Sequence, residues 1–197
     1  MNLAPKDYDF GNMENYSFAM EVTCSNDEAR KMFILAYGHM LNYNHEEAIA
    51  CFSKCAELDP DCAMAWWGIA YCVSSNYNWT PGLGSGYDPI QMAISLKEGC
   101  SEMEQDLIDA LAERHSEEAR DAADPSVLNM GNSAELNIAF AEAMAPLYEK
   151  YSGNLDVTAI YVEALMNLKA WQLWNKDTKT GEITPADDNT CLLYTSD

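Results

Sequence analysis

The sequence predicts an all-α protein, in which about seven helices pair into hairpins and stack as a solenoid. Helix-capping patterns recur along the chain, and the apolar residues between them are spaced as on one face of a helix. No segment alternates apolar and polar residues as a half-buried strand does. With 48% apolar residues, the 197-residue chain can bury a core. We expect a helical repeat domain over residues 25–174, after an amino-terminal extension at 1–24.

Capping patterns mark the starts of the first two helices. Ser25 and Glu28 have the spacing of a capping box, in which the serine accepts a backbone N–H and the glutamate reaches back to the cap residue. Asn44 and Glu47 repeat that spacing. The second helix is predicted to end before Pro60, because proline disfavours a helical conformation in the residue that precedes it.

The next three helices follow from similar signals. A third helix is predicted over about residues 62–73. Asp88 and Pro89 predict the start of a fourth helix, because an aspartate cap followed by proline at the first helical position is a favoured pair. Ser101 and Glu104 form a capping box for the fifth.

Two longer helices are predicted in the last third of the chain. A polar connection over 116–131 leads to Asn132 and Glu135, which open the sixth helix, and Gly153 closes it. The seventh helix is predicted over 156–174. Together with the first five helices, these two bring the predicted total to seven.

The carboxyl end carries a segment that we set aside. Residues 191–197 match the translation of a transposon-end adapter used in preparing sequencing libraries, so they are excluded from fold prediction. Residues 175–190 are expected to be the truncated start of a structure that continues in the complete protein.

The chain is strongly acidic. Thirty-two acidic and 11 basic side chains give a formal charge of −21, which repels phosphate backbones and anionic membrane surfaces. We therefore predict no nucleic acid and no membrane as partner, whereas a basic peptide or protein would be attracted. A role of the acidic residues in solubility explains the same charge.

Local sequence patterns indicate the compartment and the state of the cysteines. Residues 1–10 lack a signal-peptide pattern and no apolar run is long enough for a bilayer, so a cytoplasmic location is expected. Cys51, Cys55 and Cys62 lie near His45 in sequence, but zinc needs four converging ligands and the paired CxxC motif is absent. We therefore interpret the seven cysteines as buried thiols and predict no metal and no cofactor.

A helical repeat is visible between residues 31 and 70. Three residues have the spacing of the small residue, the aromatic residue and the proline of a tetratricopeptide repeat, and three more match the start of the next repeat: Ala48, Phe52, Pro60, Trp66, Ile69 and Ala70. The sequence resembles tetratricopeptide-repeat proteins in this region. The spacing is typical of the architecture and says little about function.

The resemblance extends to a family of larger, poorly characterised and mostly bacterial tetratricopeptide-repeat proteins. Four segments carry it, within about 16–184: 44–49, 59–70, 107–111 and 156–174. It implies a helical solenoid that continues beyond this chain. It implies no activity that can be assigned to particular residues.

Four aromatic residues are candidates for contact with a partner. Trp66 and Trp67 are neighbours, so they cannot face the same helix-pair core. The repeat spacing places Trp66 inside and directs Trp67 and Tyr71 to the concave surface, whereas the alternative is that the following loop covers Trp67 as core. That loop, 74–87, contains Tyr77 and Trp79 and can form a lid, or simply reverse the chain.

These features leave three functions open. The leading hypothesis is an interaction scaffold that binds a peptide or protein in a concave groove through Trp67, Tyr71, Tyr77 and Trp79. The first alternative is an enzyme or small-molecule-binding protein with a pocket under loop 74–87, lined by histidine or carboxylate groups. The second is a structural segment that supports a missing downstream domain. No catalytic residue is predicted, because no nucleophile, metalloprotease or phosphate-binding motif is present.

Overall fold

The structure is a computed structural model that describes residues 20–74, 76–78, 86–115, 117, 130–188 and 190. Within these residues it contains seven α-helices and one β-hairpin. The helices are α1 Asp27–Leu41, α2 His45–Leu58, α3 Ala63–Val73, α4 Tyr87–Leu96, α5 Glu102–Ala112, α6 Met130–Lys150 and α7 Leu155–Leu168, with a 3₁₀ turn Lys97–Gly99 after α4. The all-α prediction is confirmed. Residues 1–19 of the predicted extension at 1–24 and the adapter-like segment 191–197 lie outside the described residues.

The start of α1 differs by one residue from the prediction. Asn26 is the N-cap, because its side-chain oxygen accepts the backbone N–H of Ala29 at 2.8 Å. Ser25, the predicted cap, instead donates its own backbone N–H to a carboxylate oxygen of Asp59 at 2.5 Å. This hydrogen bond holds the segment that precedes α1 against the end of α2.

The capping box of α5 is confirmed and also joins distant parts of the chain. Glu104 donates its backbone N–H to Ser101, and its carboxylate accepts the Ser101 backbone N–H at 2.8 Å. The same carboxylate accepts the backbone N–H and the hydroxyl of Thr23 at 2.7 and 2.6 Å. The buried Glu104 therefore holds the segment before α1 next to the start of α5.

Two predicted helix starts are displaced. The N-cap of α4 is Gly86, so Asp88 and Pro89 lie inside its first turn and are not the cap and the first helical residue. The helix α6 begins at Met130, two residues before the predicted Asn132. Gly153 does follow α6, with a φ of +85° that glycine adopts without strain.

The predicted seventh helix is too long at its carboxyl end. It stops at Leu168, and the chain then forms β1 Trp174–Lys176 and β2 Ile183–Pro185, paired antiparallel with Asn175 opposite Thr184. Both strands are three residues long and exposed along their whole length. They therefore have no buried face, and the alternation that marks a strand in sequence is absent.

Consecutive helices from α1 to α5 pack on one another, and α3 also contacts both α1 and α5. Each helix runs back along the one before it. The carboxyl ends of α1, α3 and α5 therefore lie with the amino ends of α2 and α4 at one end of the stack, which we call the His45 end. The opposite end, with Cys62 before α3, is the Cys62 end. Of the described helices, none has both the length and the apolar character needed to cross a bilayer.

The helix α6 is joined to α5 by an ion pair network at its last turn. The Lys150 ammonium group binds carboxylates of Glu102 and Asp106 at 2.7 and 2.6 Å, and the hydroxyl of Tyr151 donates to Asp106 at 2.6 Å. Part of the acidic face of α5 is therefore neutralised by α6.

The packing of α2 against α3 depends on a glycine. The ring of Phe52 is fully buried, meets Phe33 edge to face at 5.4 Å, and lies over Gly68, where it fills the space that a Cβ atom would occupy. This contact lets the two helices approach closely.

We predict that Gly68→Ala lowers the free energy of unfolding by about 1–3 kcal/mol, the usual cost of overpacking a core. The added methyl group must displace the Phe52 ring, which is closely surrounded. Gly38→Ala is the matched control, because Gly38 is also helical but has no atom within 4 Å of the added methyl group. That control should be neutral or stabilising by about 0.5–1 kcal/mol. Urea unfolding followed by circular dichroism measures both values, and equal effects would contradict a tight contact at Gly68.

Candidate functional site

The prediction that Trp67 faces an open groove is wrong. Its side chain is 0% exposed, and its indole N–H donates to the carbonyl oxygen of Leu107 at 3.1 Å. The alternative that Trp67 is core is correct, although the described contact comes from α5 and not from the following loop. Trp66, its neighbour, is only partly buried against the core.

Tyr71 is also buried. Its hydroxyl donates to Glu163 of α7 at 2.7 Å, and its ring meets Phe140 of α6 edge to face at 6.3 Å. In α1, the hydroxyl of Tyr37 donates to Asp156 of α7 at 3.0 Å. The helices α6 and α7 therefore cover the surface on which the sequence placed an open groove.

The two phenol–carboxylate bonds have matching spacings. Tyr37 and Tyr71 are 34 residues apart, while their partners Asp156 and Glu163 are seven residues apart on α7. Seven helical residues rise about 10.5 Å, close to the usual distance of roughly 8–10 Å between packed helices. The helix α7 thus crosses α1 and α3 so that each provides one tyrosine.

The other two predicted contact residues have different outcomes. Tyr77 is partly buried, and its ring stacks on Trp171 with 5.4 Å between the centroids. Trp79 lies outside the described residues. Partner binding by these residues stays a prediction.

Polar side chains from five parts of the chain meet at the His45 end, next to α7. His45 begins α2, Tyr71 is in the last turn of α3, and Arg114 follows α5. Glu163 and Asn167 lie one turn apart on α7, on the same side of the helix. We define the buried polar cluster as His45, Tyr71, Asn76, Arg114, His115, Glu163 and Asn167.

Glu163 is the central charged group of this cluster. One carboxylate oxygen accepts the Tyr71 hydroxyl, while the other is buried and has no hydrogen-bond partner among the described residues. Burial raises the pKa of Tyr71 well above its usual value, and the charge of Glu163 raises it further, so the phenol keeps its proton. Both polar atoms of the Asn167 amide are likewise buried without a described partner.

The two histidines of the cluster are neutral at pH 7. The amide nitrogen of Asn76 donates to Nδ1 of His45 at 3.3 Å, which places the ring proton on Nε2, an atom without a partner in the described structure. Burial lowers the pKa of His45. Burial, together with the positive charge of Arg114, lowers the pKa of His115 to about 3. The His115 ring fills the space where Gly86 lacks a Cβ atom.

Arg114 brings a positive charge to the cluster. Its Nε donates to Asn137 at 3.0 Å, and its guanidinium carbon lies 5.5 Å from the centroid of the Phe140 ring. Burial lowers the pKa of Arg114, while the negative charge of Glu163 acts in the opposite direction. The cluster therefore combines one buried cation, one carboxylate and two neutral imidazoles.

The sequence contained only a partial signal for this site. The small-molecule alternative expected histidine or carboxylate groups under loop 74–87, and the cluster contains both kinds, although residues 79–85 of that loop lie outside the described residues. In the sequence, His45 has the position of an ordinary residue in the first turn of a helix, and Glu163 and Arg114 belong to no recognisable motif. The 34-residue spacing of Tyr37 and Tyr71 could have indicated that both tyrosines contact the same later helix, which is α7.

The chain matches no protein-family model, and comparisons with curated proteins and with solved structures find no similar protein. The resemblance to tetratricopeptide-repeat proteins therefore stays a prediction from sequence spacing.

We predict that His115→Gln reduces the acid sensitivity of the fold. The folded chain keeps this imidazole neutral down to about pH 3, whereas the unfolded chain protonates it near pH 6.5. The stability contributed by the neutral ring is therefore complete above pH 6.5 and decreases as the pH falls, by up to about 1.4 kcal/mol per pH unit. Urea unfolding of both proteins over this range measures the change.

The quantity to compare is the difference in the free energy of unfolding between the wild type and His115→Gln at each pH. It cancels the titration of the 32 acidic residues that both proteins share. The wild type should lose stability relative to the variant as the pH falls below 6.5. Two parallel curves would show that His115 is protonated equally well in the folded chain.

Proposed function

We propose that the protein binds a small polar molecule in the buried polar cluster. The observation that carries the proposal is the second carboxylate oxygen of Glu163, which is buried without a partner among the described residues. A buried polar atom that lacks a hydrogen bond costs about 1–3 kcal/mol, and more when it is charged. A ligand that supplies the missing bonds recovers this free energy as affinity.

The unsatisfied atoms define the chemistry of the ligand. Glu163 accepts a hydrogen bond, Nε2 of His45 donates one, and Asn167 can do both. The nearby charges of Glu163 and Arg114 are opposite, which favours a dipolar molecule over an ion of either sign. The ligand class is therefore a small zwitterionic or neutral compound that has an N–H or O–H donor and a carbonyl or carboxylate acceptor, as amino acids have.

Within this proposal, α1 to α5 form a tetratricopeptide-like solenoid. Supporting observations are the packing of each helix on the next, the contacts of α3 with α1 and α5, and the buried Ala48 and Phe52. The 34-residue spacing of Tyr37 and Tyr71 equals the length of such a repeat. The inner surface is covered by α7, so it suits an enclosed small molecule better than an extended peptide.

We predict that Glu163→Gln weakens ligand binding by about tenfold to a hundredfold, because hydrogen bonds to charged groups contribute about 1.5–3 kcal/mol. The substitution keeps the size of the side chain and removes the charge. The probes are amino acids, polyamines, polyols and monosaccharides at millimolar concentration. A rise in unfolding temperature identifies binders, and isothermal titration calorimetry then measures their affinities.

Glu142→Gln is the matched control for this experiment. Glu142 is an exposed carboxylate on α6, so its loss changes the net charge equally without touching the cluster. It should bind like the wild type. If both variants keep full affinity, or if only polyamines and other cations bind, the proposed site or ligand class is wrong.

A second candidate function, binding of a basic peptide or protein, is favoured by one exposed aromatic surface. Trp171 is 68% exposed and stacks on Tyr77. Aromatic faces attract lysine and arginine side chains, and the charge of −21 attracts a basic partner at longer range. This corresponds to the interaction scaffold predicted from the sequence. Tyr77 is kept from the predicted contact residues, Trp171 is added, and the buried Trp67 and Tyr71 are left out.

We predict that Trp171→Ala weakens binding of an arginine-rich probe peptide by roughly twofold to thirtyfold, the range of one cation–π contact. Fluorescence anisotropy of the labelled peptide at several salt concentrations measures the affinity. Leu155→Ala is the control, because Leu155 is 74% exposed but has no aromatic ring. Equal affinities of both variants would mean that charge alone attracts the peptide.

A further inference from the structure

Three cysteine sulfurs meet at the Cys62 end of the stack. Cys24 precedes α1, Cys55 lies in α2, and Cys62 immediately precedes α3. All three sulfur atoms lie within 4.8 Å of one another, with 3.2 Å between Cys24 and Cys62 and 3.9 Å between Cys55 and Cys62. We call these residues the thiol cluster. By sequence spacing, the candidate metal ligands are Cys51, Cys55, Cys62 and His45, for which no metal is predicted. Of these four residues, Cys55 and Cys62 belong to the cluster, and Cys24 is not among those candidates.

The segment that carries Cys24 is held in place by hydrogen bonds. The backbone N–H of Ser25 binds Asp59 at the end of α2. The guanidinium group of Arg30 donates to the carbonyl oxygens of Val22 and Cys24 at 2.7 and 3.3 Å. The position of the Cys24 sulfur therefore does not depend on the other two sulfurs, and the cluster is preorganised.

Two features of the surroundings favour negative charge on these sulfur atoms. The guanidinium group of Arg30 binds the carbonyl oxygen of Cys24. Cys62 precedes the amino end of α3, where the helix dipole favours negative charge.

Neither a disulfide nor ordinary core packing accounts for the arrangement. The shortest sulfur distance is longer than the bond of about 2.05 Å in a disulfide, and a disulfide would leave the third sulfur without a role. The Cys55 thiol has a backbone partner, the carbonyl oxygen of Ala29 at 3.2 Å, but that bond does not account for the approach of the Cys24 and Cys62 sulfurs to 3.2 Å. Zinc bonded to sulfur at about 2.3 Å with tetrahedral angles separates two sulfurs by about 3.8 Å. The distance of 3.9 Å between Cys55 and Cys62 matches this value, and the sulfurs of Cys24 and Cys62, at 3.2 Å, would move apart on binding.

We propose that Cys24, Cys55 and Cys62 bind a divalent, thiophilic metal ion of the zinc type. The charges of the neighbouring Arg30 and Asp59 offset each other, so three thiolates leave a smaller net negative charge with a divalent ion than with a monovalent one. Thiolates also select soft and borderline ions over magnesium and calcium. Three protein ligands leave one position of a tetrahedral zinc ion for water or another small ligand. The bound ion would connect the segment before α1 with α2 and α3.

The test uses the full chain, reduced with a phosphine and freed of metal by dialysis against a chelator. Zn²⁺ is titrated in competition with a chromophoric chelator, and Co²⁺ is used as a spectroscopic probe. We expect one Zn²⁺ per chain, near-ultraviolet charge-transfer bands from thiolate to Co²⁺, and a rise in unfolding temperature on addition of Zn²⁺. Cys24→Ala should lower the affinity by at least about a hundredfold and abolish the temperature rise.

Cys72→Ala is the matched control, because Cys72 is a buried thiol of α3 at the His45 end. It should bind Zn²⁺ like the wild type. Cys55→Ala and Cys62→Ala extend the test where circular dichroism shows them folded, and Cys24→Ala decides it otherwise, since Cys24 is half-exposed. Absence of Zn²⁺ binding at micromolar concentration, a Co²⁺ spectrum without thiolate bands, or unchanged binding by Cys24→Ala would each overturn the proposal.

Discussion

The antiparallel packing of consecutive helices from α1 to α5 determines where the polar groups of this protein meet. Because each helix runs back along the one before it, every second helix end lies at the same end of the stack. His45 and His115 are 70 residues apart in the chain, yet both lie at the His45 end. Cys24 and Cys62 meet at the opposite end for the same reason. The close contact of Phe52 with Gly68 lets α2 and α3 approach each other. Each of these two helices has one terminus at the His45 end of the stack and the other at the Cys62 end.

Two hydrogen bonds attach α7 to this stack, one to a tyrosine of α1 and one to a tyrosine of α3. Asp156 and Glu163 accept the hydroxyls of Tyr37 and Tyr71, which are 34 residues apart. Burial raises the pKa of Asp156, while its hydrogen bond from Tyr37 acts in the opposite direction. Such bonds hold a helix in one register more specifically than apolar contacts do, because a shift by one residue breaks both. The position of Glu163 in the buried polar cluster is a consequence of this register.

Local chemistry explains which parts of the structure were predictable. The capping box of Ser101 and Glu104 needs only residues three apart and was predicted correctly. The same spacing at Ser25 and Glu28 gives no box, because Asn26 caps the helix and Ser25 binds the distant Asp59. The side of α3 that carries Trp67 is decided by contacts with α5, which the sequence spacing does not contain. Cys24 precedes α1 in a segment without helical periodicity, so its convergence with α2 and α3 gave no pattern to detect. Apart from Tyr71, the residues of the buried polar cluster were missed for the same reason, since helix ends from distant parts of the chain form this cluster.

The position of both proposed sites at helix ends has a physical basis. The middle of the stack is filled by large apolar side chains such as Phe33, Phe52 and Trp67, where an added charge would be costly. At its ends, each helix has backbone N–H or C=O groups without intrahelical partners, so polar side chains and ligands find hydrogen bonds there. The dipole of α3 would likewise favour a metal-bound thiolate at Cys62, which precedes the amino end of that helix. A helical stack can therefore hold polar sites at both ends, while the apolar core at its centre offsets the free-energy cost of burying the polar groups.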